Sequence, residues 1–284
     1  MWTLLFFTIA GLTPALFMQE TYKSAILKKR AKQRGITPKG PQRSFGRATG
    51  FFLWSTLTRP LHMALVEPVV GAFTLYIALN FGMLYAFFAA FPYVFQEAYG
   101  FGIQSTGLTF LGLGVGSLVG CGIIILFAKT VYKRQIHHSK DAGNDGKVQP
   151  EARLYIAMIG AVCLPVSLFW FGWTAKAEIH WICPVIAEAF FGCGNLLIFM
   201  AATLYIMDFY GPLYGASAMG ANNIARYALA FAFPFFIVQM YEGLGIGWAT
   251  SLLGFISLAL APIPFGFYVW GPKLRAKSRY QRGN

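Results

Sequence analysis

Residues 106–128 read TGLTFLGLGVGSLVGCGIIILFA, a run of small and apolar side chains without a single charged residue. The hydrocarbon core of a bilayer is about 30 Å thick, and an α-helix needs about 20 apolar residues to cross it. Continuous apolarity, without alternation of polar and apolar residues, favours a helix over a β-barrel strand. The stretch 106–128 is therefore predicted to be a transmembrane helix.

Six further stretches have the same character. The seven predicted spans cover residues 2–18, 69–91, 106–128, 154–173, 182–207, 218–240 and 246–270. Of the 284 residues, 57% are apolar and 12% are charged, whereas soluble domains carry roughly 25% charged residues. This composition excludes a soluble protein. It predicts an all-α membrane protein, a polytopic helical bundle in contact with the lipid bilayer.

With the exception of Arg226, the positive charges lie in the connecting segments rather than in the spans. Ten Lys and Arg residues fall in 19–68, six in 129–153 and five after residue 271, whereas the connectors of the opposite side hold only Lys176. A net charge of +13 on its own would suit a nucleic-acid partner, but this distribution is typical of membrane topology. We therefore expect no nucleic-acid partner, an outer amino terminus and a cytoplasmic carboxyl terminus.

These boundaries divide the chain into four parts. They are a transmembrane helix over 1–18, a basic cytoplasmic loop over 19–68, a six-helix transmembrane bundle over 69–271 and a basic cytoplasmic tail over 272–284. Cleavage of the first span as a signal peptide is disfavoured, because no basic residue precedes it. Within the loop, the aromatic and basic residues of 44–60 predict an amphipathic helix at the inner leaflet.

Polar side chains inside the spans are the candidate functional residues, because they are costly in lipid. The candidate substrate-binding residues are Tyr76, Asn80, Tyr85, Glu188, Asn195, Asn222, Asn223 and Arg226. Glu188 is expected to pair with Arg226 if their two helices face each other. A network of interhelical hydrogen bonds that only holds the bundle together explains the same residues, and both interpretations stay open.

No residue pattern indicates catalysis or a metal. The four His residues are dispersed, the four Cys residues lie in or beside apolar runs, and neither zinc-binding spacing nor a nucleophile elbow occurs. We expect no enzyme activity, no cofactor and no metal site. The glycines of 106–128 lack phosphate-loop spacing. Gly112, Gly116 and Gly120 instead recur every four residues, which predicts close helix packing.

Several stretches resemble the fungal drug:proton antiporters of the major facilitator superfamily, the group with twelve spans. The run MQETYKSAILKKRAKQRG at 18–35 is similar to the motif that closes that group's sixth span, with Met18-Gln19 in place of its proline. The run RPLHMALVEPVV at 59–70 is similar to the start of the seventh span. Residues 85–101 and 106–116 resemble the seventh-to-eighth hairpin, and 194–236 resembles spans ten and eleven.

The resemblance implies an architecture. The seven spans would correspond to spans six to twelve, that is, the carboxyl-terminal six-helix half of a major facilitator plus one preceding helix. The first five spans of that group have no counterpart here, and facilitator substrates bind between the two halves. Either a truncated gene product or a partner that supplies the missing amino-terminal half would account for this.

The resemblance also implies a function, which is proton-coupled efflux of small organic compounds or drugs, across the plasma membrane. Glu188 would bind a cationic substrate or a proton, and Arg226 would hold the Glu188 carboxylate between turnovers. Two alternatives are a non-transporting remnant or regulatory half-transporter, and a seven-helix receptor. The receptor is disfavoured because the third span ends in Phe127-Ala128-Lys129, where receptors carry an acidic-Arg-aromatic triplet.

Overall fold

The computed structural model describes residues 23–35, 58–141 and 149–278. The predicted first span, nearly all of the predicted interfacial helix 44–60 and most of the tail lie outside these residues. The chain divides into two compact units, Met1–Phe51 and Phe52–Asn284. In the first unit the described structure is helix α1, Lys23–Gln33, whose sequence is mostly polar and basic.

The described residues of the second unit form helices joined by short connections, with no strand among them. Its helices are α2 (Arg59–Val66), α3 (Pro68–Tyr99), α4 (Ile103–Phe127), α5 (Lys133–Asp141), α6 (Leu154–Thr174), α7 (182–210), α8 (212–244), α9 (246–260) and α10 (Pro262–Lys277). A π-helical turn, Ala128–Tyr132, joins α4 to α5, and a 3₁₀ turn, Pro150–Arg153, precedes α6. The prediction of an all-α bundle is confirmed.

Single glycines, rather than loops, separate α7 from α8 and α8 from α9. Gly211 has φ 64° and ψ −170°, and Gly245 has φ 75° and ψ 159°. Side chains with a Cβ atom are strongly disfavoured in this region of backbone space, so glycine is required at both positions. Each glycine therefore forms a sharp break between two helices without an intervening loop.

Five described helical stretches are long and apolar enough to cross a bilayer. They are Pro68–Tyr99, Ile103–His137, Pro150–Thr174, Ile182–Gly211 and Tyr214–Ala276. The last has 63 residues, which as a straight helix would measure roughly 95 Å, about three times the hydrocarbon thickness. The break at Gly245 divides it into two helical segments, each of which is long enough to cross a bilayer.

Helices α2 and α3 are two separate helices, and each has its own start signal in the sequence. A proline lies in the first turn of each helix, and Glu67 between them has extended backbone angles, φ −97° and ψ 112°. Proline is well tolerated in a first turn, where its missing N–H has no partner to lose. A short helix therefore precedes the long span in the segment predicted as the end of the basic loop.

Helix α7 lies between α4 and α6 because glycines let the backbones approach. A Cβ atom on Gly112 would lie 2.7 Å from the Val185 carbonyl oxygen, and one on Gly116 would collide with the Ala189 carbonyl. On the other side, a Cβ atom on Gly160 would lie 2.7 Å from the Gly194 carbonyl oxygen. The predicted packing role of the four-residue glycine spacing is confirmed, and it encloses the polar residues of α7.

Replacing Gly116 with alanine is expected to destabilise the bundle by about 1–3 kcal/mol, because an added methyl group overpacks the contact with Ala189. The matched control is Gly114→Ala on the same helix, where an added Cβ meets nothing within 4 Å. That change is expected to be neutral or slightly stabilising, since alanine favours the helix by up to about 1 kcal/mol. Unfolding in mixed micelles measures both variants, and equal stability of the two would contradict the packing argument.

Candidate functional site

Two predicted asparagines connect α3 to α7 in the middle of the bundle. The Asn195 side-chain nitrogen Nδ2 donates a hydrogen bond of 2.9 Å to the Asn80 carbonyl oxygen. The Asn80 Nδ2 donates in turn to the Tyr76 carbonyl oxygen at 2.7 Å, one turn back on its own helix. All three residues are buried, and the Tyr76 hydroxyl has no hydrogen-bond partner among the described residues. These contacts hold the two helices in register.

Arg226 on α8 is enclosed by aromatic rings. Its guanidinium carbon Cζ lies 4.6 Å from the centroid of Phe81, 4.9 Å from that of Phe199 and 4.8 Å from that of Tyr227. Its Nη2 donates to the Tyr227 hydroxyl at 3.1 Å, and the residue is 8% exposed. Ring faces attract cations, so three helices together provide a favourable site for one positive charge.

The expected ion pair between Glu188 and Arg226 is not formed. The ion pairs of the described residues involve Arg153 with Asp208 and Arg275 with Glu151. Arg226 instead contacts Phe199, which lies eleven residues beyond Glu188 on α7. At 1.5 Å per residue this places the two charges roughly 16 Å apart along the helix axis. They lie on neighbouring helices but at different depths.

Glu188 is fully buried near the start of α7. Neither of its carboxyl oxygens has a hydrogen-bond partner among the described residues. Its Oε2 lies 3.4 Å from the position of a Cβ atom on Gly112, so the side chain is at the α4 contact. A buried carboxyl group without a partner is costly, which makes Glu188 the least satisfied acidic group of the described bundle.

A cavity of about 430 Å³ lies between α3 and α8, beside Arg226. Its lining residues are Tyr85, Tyr227, Ala230, Phe231, Pro234 and Phe235. Tyr227, Phe231 and Phe235 are 57%, 72% and 65% exposed, so the outer side of the cavity is open. The volume is within the range of small-molecule sites, which are mostly apolar.

Of the aromatic residues at this site, only Tyr85 was among the residues predicted from the sequence. Tyr227, Phe231 and Phe235 recur every four residues and so follow one helix face. This aromatic helix face next to Arg226 is the sequence pattern from which the cavity could have been predicted. Phe81 and Phe199 had no comparable signal, because only the packing of three helices brings them to the guanidinium.

The two asparagines that precede Arg226 differ in environment. Asn222 is fully buried, and both atoms of its amide lack partners among the described residues. It lies one turn before Arg226 on the same helix face. Asn223 is only half-buried. The structure therefore places Tyr85 in the lining of the aromatic cavity. Asn222 and Arg226 share the neighbouring face of α8, while Glu188 lies elsewhere.

One end of the bundle carries a set of charged contacts, and we call it the basic end. The Arg275 Nη2 donates to both carboxylate oxygens of Glu151, at 2.7 and 2.8 Å. The Arg153 Nε donates to Asp208 at 3.0 Å, and the Tyr210 hydroxyl donates to Glu67 at 3.1 Å. These contacts link the starts of α3 and α6 to the ends of α7 and α10. Neither the buried Glu151 nor its partner Arg275 was singled out from the sequence.

No group of three or more His, Cys, Asp or Glu residues that could hold a metal ion occurs in the described part of the chain. The cavity is lined by aromatic rings together with Ala230 and Pro234. Its chemistry therefore suits reversible binding of an organic molecule.

Comparison with known proteins agrees with this architecture. A sequence model of the Major Facilitator Superfamily matches residues 1–234. The chain is 40% identical over 276 residues to the MFS-type transporter acdC of Aspergillus candidus, covering 95% of this chain and 53% of that protein. It is 38% identical over 289 residues to polyamine transporter 4 of Saccharomyces cerevisiae, covering 93% of this chain and 43% of that protein.

A third relative is named for a different activity. The chain is 40% identical over 293 residues to multidrug transporter FLR2 of Candida glabrata, covering 98% of this chain and 48% of that protein. The chain thus spans about half the length of the curated relatives it matches.

Proposed function

The chain belongs to the major facilitator superfamily, and from that premise we propose that it acts in proton-coupled efflux of small organic compounds. The family and the relatives are transporters rather than enzymes, so the chain is a membrane transporter protein of that family. The seven-helix receptor is set aside. Efflux is supported by the relative named as a multidrug transporter, and proton coupling is supported by the chemistry of Glu188.

The buried, unpartnered carboxyl group of Glu188 is the observation that carries the proposal. Ionisable groups inside membrane spans commonly mark proton or ion pathways. A purely structural carboxyl group would be expected to have hydrogen-bond partners, because these offset the cost of burial. Glu188 has none among the described residues, which leaves both oxygens available for a proton.

The aromatic cavity beside Arg226 is the proposed place for the transported compound. Facilitators bind substrates between their two six-helix halves, near the bilayer midplane. The exposed rings of Tyr227, Phe231 and Phe235 lie on one face of α8. We propose that an amino-terminal half, from the same protein or a partner, covers this face and closes the cavity. The basic end is then cytoplasmic by the positive-inside rule, and the plasma membrane is the proposed location.

Flux in sealed vesicles tests this proposal. The chain is reconstituted alone, and together with the part of acdC that precedes its matched region, in vesicles loaded with a pH-sensitive dye. An acidic interior is imposed, and three anthracene compounds are added outside in turn: neutral 9-anthracenemethanol, anionic anthracene-9-sulfonate and cationic (anthracen-9-ylmethyl)trimethylammonium. We expect at least one compound to accelerate proton release above that of protein-free vesicles.

The two preparations separate the remaining alternatives. Proton release that needs the acdC part identifies this chain as one half of a transporter that works only with its other half. Correct insertion without compound-dependent proton release in either preparation would falsify proton-coupled transport. The non-transporting remnant or regulatory half would then be the correct reading.

A further inference from the structure

The positive charge of Arg226 is not balanced by an acidic group in the described part of the bundle. None of the ion pairs there involves Arg226. The residues that line the neighbouring cavity include no Asp or Glu, and Glu188 lies roughly 16 Å away along the helix axis. Aromatic rings stabilise a cation less than a carboxylate does, so Arg226 can still bind an anion favourably.

Arg226 also has a hydrogen-bond donor without a partner among the described residues. A guanidinium has five N–H groups, and the contact described for this one joins Nη2 to the Tyr227 hydroxyl. The Nε atom has no partner among the described residues. The Asn222 amide, one turn away on the same face, is also unpartnered there. A planar guanidinium matches the oxygens of a carboxylate or sulfonate better than any other side chain.

The aromatic cavity adjoins the surroundings of Arg226, although neither Arg226 nor Asn222 is among the residues that line it. Tyr227 belongs to both, because its ring lines the cavity and its hydroxyl accepts the hydrogen bond from Arg226. Ala230 and Pro234, one and two turns beyond Arg226 on its face, line the same cavity. On α3, Phe81 contacts Arg226, and its ring centroid lies 4.9 Å from that of Tyr85 in the cavity.

We propose that the cavity beside Arg226 binds flat aromatic compounds that carry an acidic group. The rings of the compound stack among Tyr85, Tyr227 and Phe231, and its oxyanion binds the guanidinium of Arg226. This rests on the proposed transport function and narrows its substrate class. A cationic compound is disfavoured at this place, because it would meet Arg226 without a compensating carboxylate.

Equilibrium binding of the three anthracene compounds to the chain in lipid nanodiscs tests the inference. They share one ring system and differ in charge, and empty nanodiscs of the same lipid measure partition into the bilayer. A charge-assisted hydrogen bond predicts that the sulfonate binds about tenfold more tightly than the alcohol. The trimethylammonium compound is expected to bind most weakly. Equal or tighter binding of the cation would overturn the inference.

Variants assign the preference to Arg226. Arg226→Met is expected to reduce the sulfonate-to-alcohol ratio to about one, and Arg226→Lys to retain part of it, since lysine keeps the charge without the planar fork. Lys176→Met removes one exposed positive charge distant from the cavity and is expected to leave the ratio unchanged. A preference that survives Arg226→Met contradicts the assignment.

A second variant keeps the test informative if Arg226→Met does not fold. Phe231→Leu changes a ring that is 72% exposed, so the helix is expected to tolerate it. This change should weaken the binding of all three compounds by a similar factor and leave the sulfonate-to-alcohol affinity ratio unchanged. Unchanged binding would show that the rings of the compounds bind elsewhere. Binding requires no pH gradient. Loss of proton flux with an intact sulfonate preference contradicts proton coupling alone, and flux without that preference contradicts this inference alone.

Discussion

Replacing Glu188 with glutamine is expected to abolish compound-dependent proton release while leaving the bundle as stable as before, or more stable. Glutamine has nearly the same shape but cannot take up and release a proton. The wild-type carboxyl group is fully buried, and neither oxygen has a partner among the described residues. Its removal therefore leaves no broken hydrogen bond there and lowers the cost of burial. Proton flux in vesicles and unfolding in mixed micelles measure the two effects separately.

The matched control is Glu97→Gln, which makes the same chemical change at an exposed position near the end of α3. It should retain wild-type proton release. If Glu188→Gln transports normally, the carboxyl group does not carry the coupled proton. If instead it loses stability together with flux, Glu188 has a structural role that the described contacts do not account for.

Replacing Arg275 with alanine is expected to cost about 3 kcal/mol of unfolding free energy, the low end of the range for breaking a buried ion pair. The Glu151 side chain is 4% exposed and would lose the nitrogen that binds both of its oxygens, whereas Arg275 is itself 26% exposed. The contact joins the start of α6 to the end of α10. Its loss is therefore expected to loosen the basic end, as measured by unfolding in mixed micelles.

The same end offers an internal comparison. Arg153 and Asp208 are also paired, but their side chains are 20% and 37% exposed. Solvent screens such pairs, so Arg153→Ala is expected to cost less than about 1 kcal/mol for the lost pair. The double variant Glu151→Met with Arg275→Met should recover much of the stability that Arg275→Ala loses, because neither charge is left alone. Equal costs for the two single variants would contradict the role of burial.

The length and apolar character of the runs were sufficient to predict the helical fold. In lipid, an uncharged run such as 106–128 can form all of its backbone hydrogen bonds only as a helix. The glycines at 112, 116 and 120 recur every four residues, a spacing that lets the backbone of another helix approach closely. The structure bears out both points. The boundaries of the four predicted parts and the orientation in the membrane remain predictions.

The pairing of Glu188 with Arg226 failed for a physical reason. Residue spacing fixes the face of a helix on which a side chain lies, but not the axial offset between that helix and its neighbour. Packing sets this offset, and it places Arg226 beside Phe199 instead. The aromatic cage depends on three helices at once, so no single segment of the sequence could predict it.

At Gly245, helix α8, which carries Arg226, is joined to α9 without a flexible connecting loop. If one helix rotates about its long axis, the motion is passed to the other through a single pair of backbone torsion angles. We therefore expect α8 and α9 to move together rather than independently. Lengthening this joint by a few flexible residues would uncouple them mechanically without altering any residue of the cavity.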